Sequence, residues 1–144
     1  MGSWQLYIRH AHRETVDPEA DNGLSEKGRA QGQALVRELA RRSPLRKPSM
    51  IYSSPKLRCL ETAAYVAEWA GLPVVEDERI DTRHPHETEK TFLKRLQDFW
   101  ASERSRGEAC YVTHGDVLPF LGEWGGLGPV DVRKGSYFWL ELDG

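Results

Sequence analysis

The sequence predicts an α/β domain, a three-layer α/β/α sandwich around a mostly parallel central sheet. Three observations carry that expectation. Short apolar runs alternate along the chain with longer segments whose apolar residues recur at helical spacing, the pattern of a parallel sheet covered on both faces. The chain has 144 residues, 39% of them hydrophobic and 29% charged, which suits one globular domain over 1–144 with its own core and argues against disorder. No internal repeat or low-complexity segment interrupts the alternation.

The elements follow in order. Residues 4–8 are apolar with aromatics and read as a strand. Residues 9–22 are polar, carry Pro18 and read as a long loop. Ser25 is a fitting N-cap for a helix carrying Ala30, Ala34, Leu35 and Leu39, which stops before Pro44. A loop over 43–49 leads to a short strand at 50–52. Ser53, Ser54 and Pro55 break that strand, and Pro55 suits a first helical position with Ser54 as N-cap. Leu57, Leu60, Ala64 and Ala67 continue the helix to Gly71. Residues 73–75 predict a very short strand, and 76–89 a charged, irregular stretch. Residues 91–103 form an amphipathic helix whose Phe92, Leu93, Leu96, Phe99 and Trp100 face the core. A strand over 109–112 ends in the turn Thr113-His114-Gly115. A helix opens at Asp116 or just after it and runs through Leu121. A Gly-rich loop over 125–129 and a strand over 137–142 complete the chain; Trp124 edges a pocket or is buried.

Charge and cysteine usage exclude several classes. Twenty basic and 22 acidic side chains give a net charge of -2, so neither nucleic acid nor an acidic membrane surface is an expected partner. Cys59 and Cys110 show no metal-ligand spacing and no disulfide framework; two free thiols suit a reducing cytoplasm. No run of about 18 apolar residues predicts a membrane span. The N-terminal residues lack the basic start and apolar stretch of a signal peptide, and Gly2 lacks the Ser or Thr that a myristoylation signal requires.

Parallel sheets bind ligands at the carboxyl ends of their strands. Three strands here end in reactive residues: Arg9-His10, 53–58 and His114-Gly115. A neutral imidazole such as His10 is a competent nucleophile toward phosphorus. Flanking guanidinium groups favour that neutral form. Arg9 and Arg58 offer planar forks that match phosphate oxygens, and Arg58 on a first helical turn shares the anion preference of the helix N-terminus. His114 is placed to donate to a transferring phosphoryl group. Each residue has a plainer reading as a strand-end histidine or a surface ion pair. Their convergence on one rim is what favours chemistry.

Those residues carry a resemblance. Leu6-Tyr7-Ile8-Arg9-His10, the run 24–31 (LSEKGRAQ), the run 52–63 (YSSPKLRCLETA) and Val112-Thr113-His114-Gly115 together resemble the histidine phosphatase (phosphoglycerate mutase-like) superfamily, in order and over nearly the whole chain. The resemblance implies a phosphoglycerate mutase-like fold and hydrolysis of a phosphomonoester or phosphoramidate, protein phosphohistidine included. It implies His10 as the phosphorylated nucleophile. Arg9, Arg58 and His114 would bind the phosphate, with no metal and no cofactor. The substrate would be a phosphorylated small molecule or a phosphoprotein.

The sequence departs from the family twice. Ala11 stands where the family has glycine after Arg-His. The family's acid pattern falls on the run 77–82 (DERIDT), which puts Thr82 at the acid position, with Asp81 one residue away and Glu78 and Glu87 further off. Asp81 is the first candidate for the acid, with Glu78, Glu87 or no acid at all as the alternatives. An alkoxide leaving group needs a proton and a phosphoramidate needs it less, so the departure points toward small phosphohistidine phosphatases.

Other features carry less. His12 and Arg13 are placed to touch the non-reacting part of a substrate, or belong to a solvated loop. His84 and His86 form a His-x-His pair without an evident third ligand. Arg37, Arg41, Arg42, Arg46 and Lys47 make a basic helix end, solvated or docking an acidic partner. Two rival functions stay open: a mutase moving phosphate between hydroxyls, and a binding module that recognises phosphate without turnover. The oligomeric state is not legible.

Overall fold

The computed structural model describes residues 3–142; Met1 and Gly2, on which the processing and lipidation expectations rest, lie outside them. The chain runs β1 (Ser3–Arg9), α1 (Glu26–Arg42), β2 (Met50–Ser53), α2 (Leu57–Ala70), β3 (Val74–Glu76), one 3-10 turn (Glu78–Ile80), α3 (Glu89–Glu103), β4 (Ala109–Thr113), α4 (Leu118–Trp124) and β5 (Tyr137–Leu142). The five strands form one sheet in the order β3-β2-β4-β1-β5. All pairs are parallel except β1 with β5.

Side-chain alternation along the strands explains the three layers. Trp4, Leu6 and Ile8 of β1 and Cys110 and Val112 of β4 pack against Leu35 and Leu39 of α1 and Ala63 and Val66 of α2. Tyr7 and Tyr111 point to the other face, against Leu96 and Phe99 of α3 and Leu118 and Leu121 of α4. On that face Tyr52, Tyr111, Tyr7 and Phe138 are in register on four neighbouring strands and stack with centroids 5.4, 4.9 and 5.3 Å apart. Such cross-strand aromatic contacts lock the register that aligns the strand ends.

Local signals match well at α1. Ser25 caps it by accepting from the Gly28 N–H, and Arg41 and Arg42 lie in its last turn. Gly71 ends α2 in the left-handed conformation at φ 70°. Other boundaries differ from the sequence expectation. α2 starts at Leu57 with Lys56 as N-cap and no side-chain cap; the Ser54 hydroxyl accepts a long 3.4 Å bond from the Lys56 N–H just before it and also engages His114 and Asp81. α3 starts at Glu89, before Thr91, because Thr88 and Thr91 form a reciprocal capping box. α4 covers Leu118–Trp124, where Trp124 packs on Phe120 at 5.9 Å. Trp100 is only partly buried beside Phe92 and Phe99. Both cysteines are buried and free. No described helix is long and apolar enough to cross a membrane.

Candidate active site

The sheet order makes β2, β4 and β1 neighbours. Arg9 pairs with Thr113 and Ser53 with Val112, so the residues that follow each strand meet at one rim. The His10 N–H donates to the Thr113 carbonyl at 3.0 Å, and the Ser54 N–H to the Val112 carbonyl at 3.0 Å. The imidazoles of His10 and His114 consequently stand 5.3 Å apart, centroid to centroid. Arg9, His10, Arg13, Arg58 and His114 line one pocket of about 600 Å³.

His10 is buried. Its Nδ1 lies 2.8 Å from the Ala11 carbonyl, and a carbonyl only accepts, so Nδ1 carries the proton and Nε2 keeps its lone pair. Burial pushes the imidazole pKa down to about 3; the Ala11 bond opposes that, and His114, Arg58 and Arg9 add to it. The nucleophilic form therefore prevails across the neutral range. The Ala11 methyl is buried and does not line the pocket. The Ala11 N–H donates to Thr62 Oγ1 at 3.0 Å, whose hydroxyl donates to the Arg58 carbonyl at 2.7 Å. That chain fixes α2 to the nucleophile's segment.

Arg9 donates from Nη1 to the Val132 carbonyl at 2.6 Å. Its Nε is the one buried side-chain nitrogen or oxygen among the described residues without a hydrogen-bond partner. An unmet buried donor costs about 1–3 kcal/mol, and an anion in the pocket would satisfy it. Gly115 permits this placement, since a Cβ there would stand 2.8 Å from Arg9 Cζ. Arg58 lies in the first turn of α2, but the neighbouring Leu57 N–H already donates to Asp21 at 3.0 Å. The guanidinium, more than the helix terminus, is what Arg58 offers an anion.

His114 Nε2 lies 2.8 Å from Ser54 Oγ and 3.4 Å from Asp81 Oδ1. The Ser54 hydroxyl donates onward to Asp81 Oδ1 at 3.2 Å. Asp81 Oδ2 accepts from His84 Nε2 at 3.0 Å and faces Lys56 Nζ at 3.3 Å. Burial lowers the His114 pKa against the raising effect of Asp81. Burial pushes the Asp81 carboxyl up, yet the His114 and His84 hydrogen bonds and the Lys56 charge outweigh it and hold the group well below the usual carboxylate range.

The expected acid is thus corrected by its surroundings. Asp81 is ionised, sits behind His114 and does not line the pocket, so it has no proton to give there. Glu87 is tied to Arg95 at 2.6 Å, and Glu78 does not line the pocket either. His12 is also turned away: its Nδ1 is 2.6 Å from the capping hydroxyl of Ser25. Arg13 does line the pocket while donating to the carbonyls of Pro18 and Ala20. His84 engages Asp81, with His86 beside it at 5.3 Å.

Thr82, on which the family's acid pattern falls, lines the pocket together with Asp116 and Lys134, and the sequence reading missed the last two. Asp116 Oδ2 accepts from the Thr82 hydroxyl at 2.7 Å and the Arg83 N–H at 3.0 Å. Its position two residues after His114 was the available signal. Lys134 reaches the site because the Gly135 N–H, at 3.2 Å from each, bonds the carbonyls of Arg9 and His10. Nothing local in the sequence announces that return.

Known proteins resemble this chain in family and in fold. The family described as histidine phosphatase superfamily (branch 1) matches residues 6–109. No curated protein is significantly similar in sequence. Among solved structures, YhfR of Bacillus stearothermophilus is 22% identical with a TM-score of 0.74, over 98% of this chain and 92% of that one. A mycobacterial glucosyl-3-phosphoglycerate phosphatase in complex with VO3 is 20% identical with a TM-score of 0.73, over 95% and 90%. A candidate phosphohistidine phosphatase, SixA, from Agrobacterium tumefaciens is 19% identical with a TM-score of 0.73, over 96% and 91%. At these identities the likeness is one of fold.

Proposed function

The chain belongs to the histidine phosphatase superfamily, branch 1, and from that premise we propose that it is a phosphatase working through a phosphohistidine on His10. One observation carries the reading: a neutral, buried imidazole with a free Nε2 shares a pocket with Arg9, Arg58 and His114. In the first step Nε2 attacks phosphorus in line. The N–P bond forms as the bond to the leaving group breaks, and the two guanidinium groups hold the oxygens whose charge redistributes. His114, held from behind by Ser54 and Asp81, lines the pocket beside the phosphoryl group, and Asp81 stabilises its charged form as negative charge builds there. In the second step water attacks phosphorus, the N–P bond breaks, and orthophosphate leaves.

Asp116 is the sole carboxylate lining the pocket among the described residues. Its Oδ2 accepts from the Thr82 hydroxyl and the Arg83 N–H, which fixes the carboxylate and leaves Oδ1 to take a proton. We assign it the proton of the attacking water. Asp116 is exposed and returns that proton to solvent before the next turnover, so the leaving group departs without a carboxylic acid to protonate it. That favours a phosphoramidate, protein phosphohistidine above all, over an alkyl ester. Exposed Asp116 and Lys134 at the mouth leave the pocket open to water and to a protein-borne phosphate, which favours hydrolysis over mutase transfer.

The test separates the steps. Asp116→Asn is expected to form the phosphoenzyme at the wild-type rate and to release phosphate about 100-fold more slowly, within the range for a lost general base. Unchanged release in that variant removes the assignment. Full turnover in His10→Ala removes the mechanism.

A further inference from the structure

A second concavity adjoins the site, and the chemistry above does not use it. It is a groove of about 1010 Å³ between α1 and the edge strand β5. Lys27, Gln31, Glu38 and Arg42 form one wall. Their spacing of four, seven and four residues keeps them on one face along the whole helix. The facing wall is the 133–136 loop followed by Tyr137 and Trp139. Lys134 lines both this groove and the phosphate pocket, and His12 stands in the groove two residues after the nucleophile. The two spaces therefore adjoin at Lys134.

Charge and length indicate the occupant. The groove's two carboxylates already have cationic partners: Glu38 lies 3.6 Å from Arg42, and Asp131 lies 2.6 Å from Arg133. Lys27 and Lys134 have no carboxylate within salt-bridge distance among the described residues, and both are exposed. The surplus positive charge thus sits at the end nearest the phosphate pocket. From Lys27 to Arg42 the helix rises on the order of 20 Å, which matches about six residues of extended chain. A single small anion needs far less room. Tyr137 and Trp139 give the remainder a partly apolar wall of the kind that amphipathic peptides cover.

Resting on the phosphatase reading, we propose that this groove docks an extended acidic segment of a phosphoprotein substrate, with its carboxylates on Lys27 and Lys134 next to the phosphorylated side chain. The groove sets which phosphoprotein is used; the pocket does the chemistry.

Two fluorescent hexapeptides carrying a stable phosphohistidine analogue test this, one with Asp and Glu flanking the analogue and one with Ser and Gly. Their binding to the full-length protein is read by fluorescence anisotropy, with turnover of para-nitrophenyl phosphate measured in parallel. The acidic peptide is expected to bind about tenfold more tightly than the neutral one at low salt. Lys27→Glu should abolish that preference and leave para-nitrophenyl phosphate turnover unchanged, since Lys27 lies outside the phosphate pocket. Added salt should shrink the preference, as for any exposed ion pair. Equal binding of the two peptides overturns the proposal, as does a preference that survives Lys27→Glu. A Lys27 dependence seen with small phosphorylated carboxylates and absent with both peptides also overturns it, in favour of a small-anion subsite. Absence of para-nitrophenyl phosphate turnover in the wild type would instead count against the phosphatase reading, and the peptide binding would still decide the groove.

Discussion

Replacing His10 with Gln should change how acid affects folding, by an amount the structure supplies. Burial holds the folded imidazole down at about 3, while an unfolded histidine titrates at about 6.5. The unfolded chain therefore binds the proton first, and stability falls as pH drops through the interval between those values. The contribution is fully present above about 6.5 and fully lost below about 3. Integrated from about pH 8 to about pH 5, the loss due to His10 alone is about 2 kcal/mol. The His114 pKa is lowered as well and gives a loss of the same sign, but it is present in both proteins and cancels in the difference. Asp81, whose pKa is held low, loses its contribution only as pH falls below the ordinary carboxylate range, outside this window. Urea unfolding of wild type and His10→Gln at both pH values reads the difference directly. The variant should lose about 2 kcal/mol less than the wild type. Parallel losses in the two proteins would show that His10 is not buried neutral, and the nucleophile argument would lose its electrostatic basis.

Three further outcomes follow from contacts around the site. Asp81→Asn removes the ionised anchor of His114 and Ser54; kcat should fall about 10–100-fold, the value of a hydrogen bond to a charged group, equally for esters and phosphoramidates. A loss confined to esters would restore Asp81 as the acid. Gly28→Ala puts a Cβ 1.9 Å from the His12 carbonyl oxygen, a backbone collision; thermal unfolding should show about 1–3 kcal/mol of destabilisation, and an unchanged Tm would contradict the close packing of α1 on the nucleophile's loop. Gly115→Ala crowds an Arg9 guanidinium already pinned to Val132, so inorganic phosphate should inhibit about tenfold more weakly, roughly one charge-assisted hydrogen bond; inhibition at the wild-type level would place Arg9 outside the anion's reach.

Much of the sheet and most of the site were legible in the sequence for a shared reason. Strands β1, β2 and β4 are short apolar runs that end abruptly in polar residues, and those residues are the ones the parallel topology gathers. The pieces around His10, Arg58 and His114 could be found without knowing the strand order. The proton-handling groups could not. Asp81 and Thr82 are adjacent, yet only Thr82 lines the pocket, because the extended backbone after the 3-10 turn sends successive side chains opposite ways. The family spacing put Thr82 at that place, but a threonine there carries no acidic proton, and the preference for the nearby carboxylate chose the neighbour that faces away. Lys134 was hidden for another reason. It arrives through an antiparallel return of the chain to the edge of the sheet, and no local pattern marks where such a loop lands. Ser54 shows the opposite error. Its sequence context is that of a helix cap, and the hydroxyl keeps only a long bond to the Lys56 N–H while its short one goes to His114.

The most direct measurement is the covalent state of the enzyme during turnover. Wild-type protein mixed with a phosphoramidate, quenched in alkaline denaturant and digested for mass spectrometry should carry one phosphoryl group on the peptide containing His10, stable to base and lost on acid treatment. A phosphoryl group on another residue, or none on an enzyme that is releasing phosphate, would contradict the account.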